Sequence, residues 1–257
     1  MAALRSTALG GFVLLTAVLT TLLAGCSDDE DDHAHLDDAH EAHEWSYADV
    51  DAWGETCASG TEQSPVDLAD AVPEELVDLE LDYRTSPATV ADTGHSVQTT
   101  LEDAGTMTRD GETYALRQFH VHTPSEHHVD GVPYAAEVHL VHEGEDGELA
   151  VLAVLVEPGA GNPLVDDVLA HVPGEGDDPM ATTADVDPLA LLPADLETFR
   201  YDGSLTTPPC TEGVAWSVLE TPVTWSAEQV AAFARLHPDS NRPPQPLGER
   251  ELVQDVN

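Results

Sequence analysis

The chain has 257 residues, and its charge is one-sided: 8 basic residues face 50 acidic ones, for a formal net charge of −42 at pH 7. A surface this acidic repels other polyanions, which excludes nucleic acid and anionic lipid headgroups as partners. The acidity is consistent with a salty exterior, where counterions screen the self-repulsion, or with a bias in composition.

Residues 1–25 have the composition of an export signal. Arg5 is their only charged residue, and an apolar run follows it before Leu23-Ala24-Gly25-Cys26. A short apolar run that ends in small residues is typical of a signal peptide rather than a membrane span. Leu-Ala-Gly-Cys resembles a bacterial lipobox, in which Cys26 is lipidated and becomes the new N-terminus, so the lipid would hold the protein on a membrane surface. A simply cleaved signal is the alternative.

Residues 26–44 have no apolar periodicity and many like charges, which predicts a disordered tether. Four histidines lie among its carboxylates: His33, His35, His40 and His43. Such a composition is consistent with loose metal binding, and a solvated spacer is the simpler interpretation.

Residues 45–257 are predicted to form one mainly β domain with a few short helices. Short runs of β-branched and aromatic residues alternate with Gly, Pro and Asp, without a repeat or an internal linker. The predicted strands are Ser96–Leu101, Ala115–His122, Ala135–His142, Glu148–Glu157 and Gly213–Thr221. The predicted helices are Pro163–His171 and Ala227–Leu236, the second behind a Ser226 N-cap.

The three cysteines divide into one and two. If Cys26 carries lipid, Cys57 and Cys210 remain to form a disulfide, which persists outside the cytoplasm. In the entropic model, closing so long a loop stabilises the fold by about 4–5 kcal/mol. Two unpaired buried thiols are the alternative.

One pair of predicted strands carries histidines with the spacing of a metal site. Alternate residues of a strand face the same side, so Gln118, His120 and His122 share a face, as do Glu137 and His139 on the next strand. Three histidines from two adjacent strands leave a fourth tetrahedral position open, as in catalytic zinc sites. A lone His-x-His is more often structural, but here Gln118 and Glu137 stand where they could orient the ligands.

These motifs, in order, resemble the signatures of α-class carbonic anhydrases. The resemblance rests on Gln118–His122, Ser125–His127, Ala135–His142 and Gly203–Cys210, and it spans essentially all of residues 45–257. It implies a central twisted, largely antiparallel sheet with zinc at the bottom of a conical cleft. The implied reaction is the reversible hydration of CO2 to bicarbonate and a proton by zinc-bound hydroxide, that is, a carbon–oxygen lyase.

The resemblance also implies a role for each site residue. His120, His122 and His139 would bind zinc, with Gln118 and Glu137 behind them. Thr206 would accept a hydrogen bond from the hydroxide and pass its own proton toward Glu126. The residues that would form the CO2 pocket are Val141, Val151, Leu205, Thr207, Val214 and Trp216.

His95 matches the position of the proton shuttle of the family. An imidazole ordinarily titrates near pH 6.5, which suits it to relay protons to buffer, and a plain surface histidine is the alternative. Tyr47 would help to order the water chain, while Thr93 and Gln98 stand where asparagine is common. The Cys57–Cys210 pair fits secreted bacterial members, and the implied location is the outer face of a bacterial membrane.

Two other functions compete with the enzyme. A carbonic-anhydrase-like adhesion module would typically lack a ligand histidine, and all three are present here. A zinc-scavenging surface lipoprotein would use the His-rich tether instead of the domain.

Overall fold

The computed structural model describes residues 45–174 and 176–256. The predicted signal, tether and lipidation site at Cys26 lie outside the described residues. Within the described part of the chain, none of the helices is long and apolar enough to cross a membrane.

One large sheet and a small ribbon make up the β structure. The strands are β1 Val72–Glu74, β2 Glu80–Tyr83, β3 Ala88–Asp92, β4 Val97–Leu101, β5 Gly105–Arg109, β6 Glu112–His122, β7 His128–Val129, β8 Val132–Pro133, β9 Ala136–Glu143, β10 Leu149–Pro158, β11 Met180–Ala181, β12 Thr198–Ser204, β13 Glu212–Trp225 and β14 Val253–Asp255. The helices are α1 Glu55–Ser59, α2 Pro163–Ala170 and α3 Ala227–Leu236, with 3₁₀ turns at Tyr47–Ala52 and Pro188–Leu191.

The large sheet has twelve strands in the order β1-β14-β12-β13-β10-β9-β6-β4-β3-β11, with β5 beside β6 and β2 beside β5. Its pairs are antiparallel except β1 with β14 and β10 with β13. The prediction of a mainly β fold with a largely antiparallel sheet is therefore confirmed, with the addition that the sheet is mixed.

The predicted elements agree with the structure within a few residues. The strand predicted at Ala115–His122 begins earlier, at Glu112, because its first residues pair with β5. The strand predicted at Gly213–Thr221 continues to Trp225, alongside the end of β10. Helix α3 begins behind Ser226 as predicted, and a capping box closes its first turn, with Gln229 N donating to Ser226 Oγ at 3.2 Å.

The two faces of the sheet pack into different hydrophobic clusters, because successive side chains of a strand point to opposite faces. On β10, Leu152 and Val154 join the cluster that contains Phe119 and Phe233, while Val151 and Ala153 join another. This alternation follows from the two-residue period of a strand. The second face, which also holds Trp216, is the one toward which the predicted metal ligands point.

A buried tyrosine–histidine pair on the first face predicts acid sensitivity. Tyr83 Oη lies 2.6 Å from His142 Nε2, and burial lowers the pKa of His142 from 6.5 to about 4. The unfolded chain therefore takes up this proton near pH 6.5, and the folded chain only near pH 4. The contribution of His142 to the free energy of unfolding is therefore fully present above pH 6.5 and is lost as the pH falls to 4. It amounts to about 3 kcal/mol.

We expect the metal-free double variant Tyr83→Phe/His142→Leu to lose this sensitivity. Urea unfolding at several pH values between 4 and 7 would measure it. The wild-type free energy of unfolding should fall about 3 kcal/mol further than that of the variant. Parallel pH profiles would show that His142 does not contribute.

Candidate active site

Pairing of β6 with β9 brings the three predicted ligands together. The strands are antiparallel, with His120 directly opposite His139 and His122 opposite Glu137. One ring nitrogen from each of His120, His122 and His139 lies within 4.8 Å of the other two. Two histidines from one strand and one from its neighbour therefore face a common point.

Hydrogen bonds fix which nitrogen of each ring faces that point. In each ring, one nitrogen meets an oxygen acceptor and so carries the proton of the neutral imidazole, which leaves the other nitrogen as a lone-pair donor. These pairs are His120 Nδ1 with Gln118 Oε1 at 2.9 Å, His122 Nδ1 with Ser240 O at 2.6 Å, and His139 Nε2 with Glu137 Oε1 at 2.9 Å.

The remaining nitrogens suit a divalent cation. His122 Nε2 is buried and has no hydrogen-bond partner among the described residues, an arrangement that a bound cation would satisfy. Burial lowers the pKa of all three histidines below 6.5, so the rings are neutral at neutral pH and ready to bind metal. Three imidazole ligands with room for a fourth is a donor set that zinc accepts.

A second group, His127, Glu137 and His139, is also close enough to hold a metal. Its atoms, however, already bond to one another: His127 Nδ1 lies 2.6 Å from Glu137 Oε1, and His127 Nε2 lies 2.7 Å from Tyr201 Oη. Because both nitrogens of His127 have partners, this group is a hydrogen-bond network rather than a metal site.

The three histidines line a cavity of about 270 Å³ with two unlike walls. The apolar wall is Val141, Val151, Leu205 and Trp216, and Thr206 and Thr207 lie beside it. The polar side includes Tyr47, His95, Gln98 and Gln118. Predicted residues outside the lining are Glu126 and Glu137, which are both fully buried, and Val214, which packs in the core cluster that contains Trp216. A larger groove, about 1060 Å³, follows the C-terminal segment and contains no histidine.

Glu126 is a fully buried carboxyl beside His122 and His139. Its Oε1 accepts a hydrogen bond from Arg242 N at 2.7 Å, and its Oε2 lies 3.5 Å from His122 Nε2. Burial raises the pKa of Glu126 to about 7, while His139, the Arg242 N–H and the Thr206 hydroxyl lower it. The Thr206 hydroxyl is thus close enough to lower the pKa of Glu126, and Glu126 Oε2, which has no hydrogen-bond partner among the described residues, is the oxygen that remains to accept its proton.

Aromatic side chains also line the cavity. The His95 ring stacks on Trp45, with centroids 3.7 Å apart and planes 19° apart. Tyr47 packs edge-on against His122 at 6.4 Å, and its buried hydroxyl has no hydrogen-bond partner among the described residues. Both predicted residues therefore lie at the cavity, His95 beside Trp45 and Tyr47 beside the ligands.

Comparison with known proteins identifies the family. A family model described as eukaryotic-type carbonic anhydrase matches residues 41–256. Carbonic anhydrase from Klebsiella pneumoniae is 40% identical over 83% of this chain and 92% of its own length, and that from Pectobacterium atrosepticum is 38% identical over 81% and 90%. The chain belongs to the α-carbonic anhydrase family. The structure of the Thermovibrio ammonificans α-carbonic anhydrase with the inhibitor sulfanilamide matches with a TM-score of 0.75, at 40% identity over 77% of this chain and 89% of that one.

The predicted disulfide of this carbonic anhydrase is present. Cys57 and Cys210 are joined, with Cα atoms 5.0 Å apart and a sequence separation of 153. Cys210 directly follows the Thr206–Pro209 loop, and Gln63 Nε2 donates to Cys210 O at 3.1 Å. The bridge therefore fixes the end of the loop that carries Thr206.

Reduction should loosen the active site as well as the fold. The entropic model gives a loss of about 4–5 kcal/mol for a loop of this length. We expect the Cys57→Ser/Cys210→Ser variant to have a lower thermal midpoint and a lower CO2 hydration rate, because the Thr206 loop loses an anchor. Calorimetry and stopped-flow assays would measure both. An unchanged midpoint and rate would contradict the prediction.

Sequence reasoning placed Arg242 near the cleft but missed its contact with Glu126, and it did not single out two other residues that the structure places at the site. Ser240 meets His122 through its backbone carbonyl, which has no side-chain signature. Trp45 stacks on His95, and Arg242 bonds to Glu126 through its backbone N–H. A more complete search for aromatic residues at the start of the domain could have found Trp45.

Proposed function

We propose that this chain is a zinc enzyme that reversibly hydrates CO2 to bicarbonate and a proton at His120, His122 and His139. The observation that carries the proposal is the orientation of the three neutral imidazoles. Each is held by an oxygen acceptor on one nitrogen, and the other nitrogen faces the shared point. Zinc, when bound, would act as a Lewis acid and lower the pKa of a coordinated water to about 7.

Thr206 would select and aim the nucleophile. If its hydroxyl donates to Glu126, its oxygen can only accept toward the cavity, so it favours a nucleophile that still carries a proton. Burial of Glu126 makes this donation strong, because a buried carboxyl has no water to compete for its lone pairs. The same geometry directs the reacting lone pair toward the apolar wall.

The apolar wall would hold the substrate. CO2 has no net dipole, so Val141, Val151, Leu205 and Trp216 offer it a surface from which it displaces water at little cost. Bicarbonate is charged and is better solvated on the polar side of the cavity. The product is therefore bound less well than the substrate at the apolar wall.

His95 would carry the released proton out of the site. It lines the cavity, stacked on Trp45, and an imidazole accepts a proton on one nitrogen while it gives one up from the other. Tyr47, with its hydroxyl buried near His122, would help to order the waters between them.

Stopped-flow CO2 hydration by the purified protein tests this function. The rate should fall to the buffer background when a chelator removes zinc, and it should return when zinc is restored. A sulfonamide should inhibit if the fourth metal position is open. A rate that persists after zinc has been removed would contradict the proposal.

We further propose that the enzyme is exported and that lipid on Cys26 holds it on the outer face of a bacterial membrane. Residues 26–44 would then be a tether between the lipid and the domain. The disulfide supports an extracytoplasmic location, and the Leu23–Cys26 motif supports lipidation. We expect Cys26→Ser to move the protein from the membrane fraction to the soluble fraction, as immunoblots of both fractions would show. Ser27→Ala is the matched control and should stay with the membrane. Retention of Cys26→Ser on the membrane would contradict the anchor.

A further inference from the structure

A buried chain of hydrogen bonds begins behind His139. Both oxygens of Glu137 are engaged: Oε1 faces His139 Nε2 at 2.9 Å and His127 Nδ1 at 2.6 Å. Its Oε2 accepts from the backbone N–H groups of Glu126 and His127, each at 2.8 Å. The orientation of the His139 ring therefore depends on Glu137, and His127 is the side chain that shares Glu137 Oε1 with it.

The hydrogen bonds continue to a tyrosine on strand β12. His127 Nε2 lies 2.7 Å from Tyr201 Oη, which is itself 2.9 Å from Ser64 Oγ. Ser64 is anchored in turn, because its Oγ accepts from Ser204 N at 3.0 Å and its N–H donates to Ser204 Oγ at 2.9 Å. The Tyr201 hydroxyl thus links a rigid backbone corner to the group that supports Glu137.

Because the Tyr201 hydroxyl is buried, water would not take its place if it were removed. His127 and Ser64 are 0% exposed and Tyr201 is 3% exposed, so bulk water does not reach the hydrogen bonds between them. Trp216 packs against His127 and His139, with centroids 4.9 Å from each, and lies nearly parallel to Tyr201. Loss of the hydroxyl would leave His127 Nε2 without a partner in a dry environment, and the ring would be free to shift.

We propose that Tyr201 is a positioning residue for the metal site, which acts through His127 and Glu137 to hold His139 in the orientation that retains zinc. This inference rests on the proposed function, since it concerns the zinc that the proposed function requires. Groups that hydrogen-bond a metal ligand typically affect metal affinity 10–100-fold. Tyr201 acts through two further residues, so we expect an effect at the lower end of that range.

The Tyr83–His142 pair, on the other face of the sheet, provides a matched control. Tyr83 Oη and His142 Nε2 form the same kind of buried pair, 2.6 Å apart. His142 shares strand β9 with His139 but lies an odd number of residues away, so it points to the opposite face. Its other nitrogen meets Ala150 O, and no hydrogen bond recorded for the described residues links the pair to the three ligands.

The experiment compares Tyr201→Phe with Tyr83→Phe in the full chain. Zinc transfer from each protein to a colorimetric chelator gives the rate of metal loss, and the thermal midpoint of the metal-free form gives the cost to the fold. We expect both variants to lower the midpoint, but only Tyr201→Phe to speed zinc loss, by about tenfold. Equal rates of zinc loss in the two variants would overturn the inference.

The outcomes also separate this inference from the proposed function. A wild-type protein that binds no zinc would overturn both, whereas equal rates in a protein that binds zinc would overturn the inference alone. Should Tyr201→Phe not fold, Ser64→Ala removes the partner on the far side of the hydroxyl. That variant should lose zinc severalfold faster than Tyr83→Phe, and an equal rate would again overturn the inference.

Discussion

Replacement of His120 by alanine should give a folded protein that no longer holds stoichiometric zinc and hydrates CO2 at the background rate. His120 is the best ligand to remove, because it is only half-buried whereas His122 and His139 are each 1% exposed. Two remaining imidazoles do not supply the three protein ligands of a catalytic zinc site. Without the metal, no hydroxide is generated at neutral pH, so we expect a rate loss of about a thousandfold or more.

Metal analysis and stopped-flow assays of the same preparation would measure this effect. His128→Ala is the control, because His128 lies on the separate β7–β8 ribbon and outside the cavity lining. Its zinc content and rate should match the wild type. Full zinc and full activity in His120→Ala would show that His120 is not a ligand.

Thr206→Val should reduce kcat/KM for CO2 hydration by about a hundredfold while leaving zinc content unchanged. The substitution keeps the branched shape of the side chain and replaces its hydroxyl with a methyl group. In the proposed mechanism that hydroxyl would both aim the nucleophile and give its proton to Glu126, and loss of a single preorganised hydrogen-bonding group of this kind typically costs 10²–10³ in rate. The metal ligands keep all of their own hydrogen bonds, so the metal should remain.

Thr207→Val distinguishes this role from a general change in the cavity wall. Thr207 is adjacent to Thr206 and lines the same cavity, but it is the Thr206 hydroxyl that lowers the pKa of Glu126. Its replacement should cost less than about tenfold. Equal losses in the two variants, or full activity in Thr206→Val, would contradict the assigned role.

The sequence predicted the central strands well because their periodicity is strong. In β6, apolar residues that enter one core alternate with Gln118, His120 and His122 at the cavity, and β10 is a nearly continuous apolar run buried on both faces. The short strands β1, β11 and β14, of three residues or fewer, were not predicted. Such short segments have too few residues to show a period, and their pairing depends on distant parts of the chain.

The candidate site was predictable to the extent that it rests on local spacing. His120 and His122 are two residues apart on one strand, and Gln118 and Glu137 lie two residues before the rings they contact. The contact of Ser240 with His122 spans 118 positions and uses a carbonyl oxygen, so no spacing rule could find it. The Tyr201–His127 contact is similarly long-range, across 74 positions.

An anomalous-difference map recorded at the zinc absorption edge would show whether the three histidines bind the metal. We expect one strong peak per chain, about 2.0–2.1 Å from one ring nitrogen each of His120, His122 and His139. A peak bound instead by His127 and Glu137, or a well-ordered site without a peak in protein supplied with zinc, would contradict this expectation.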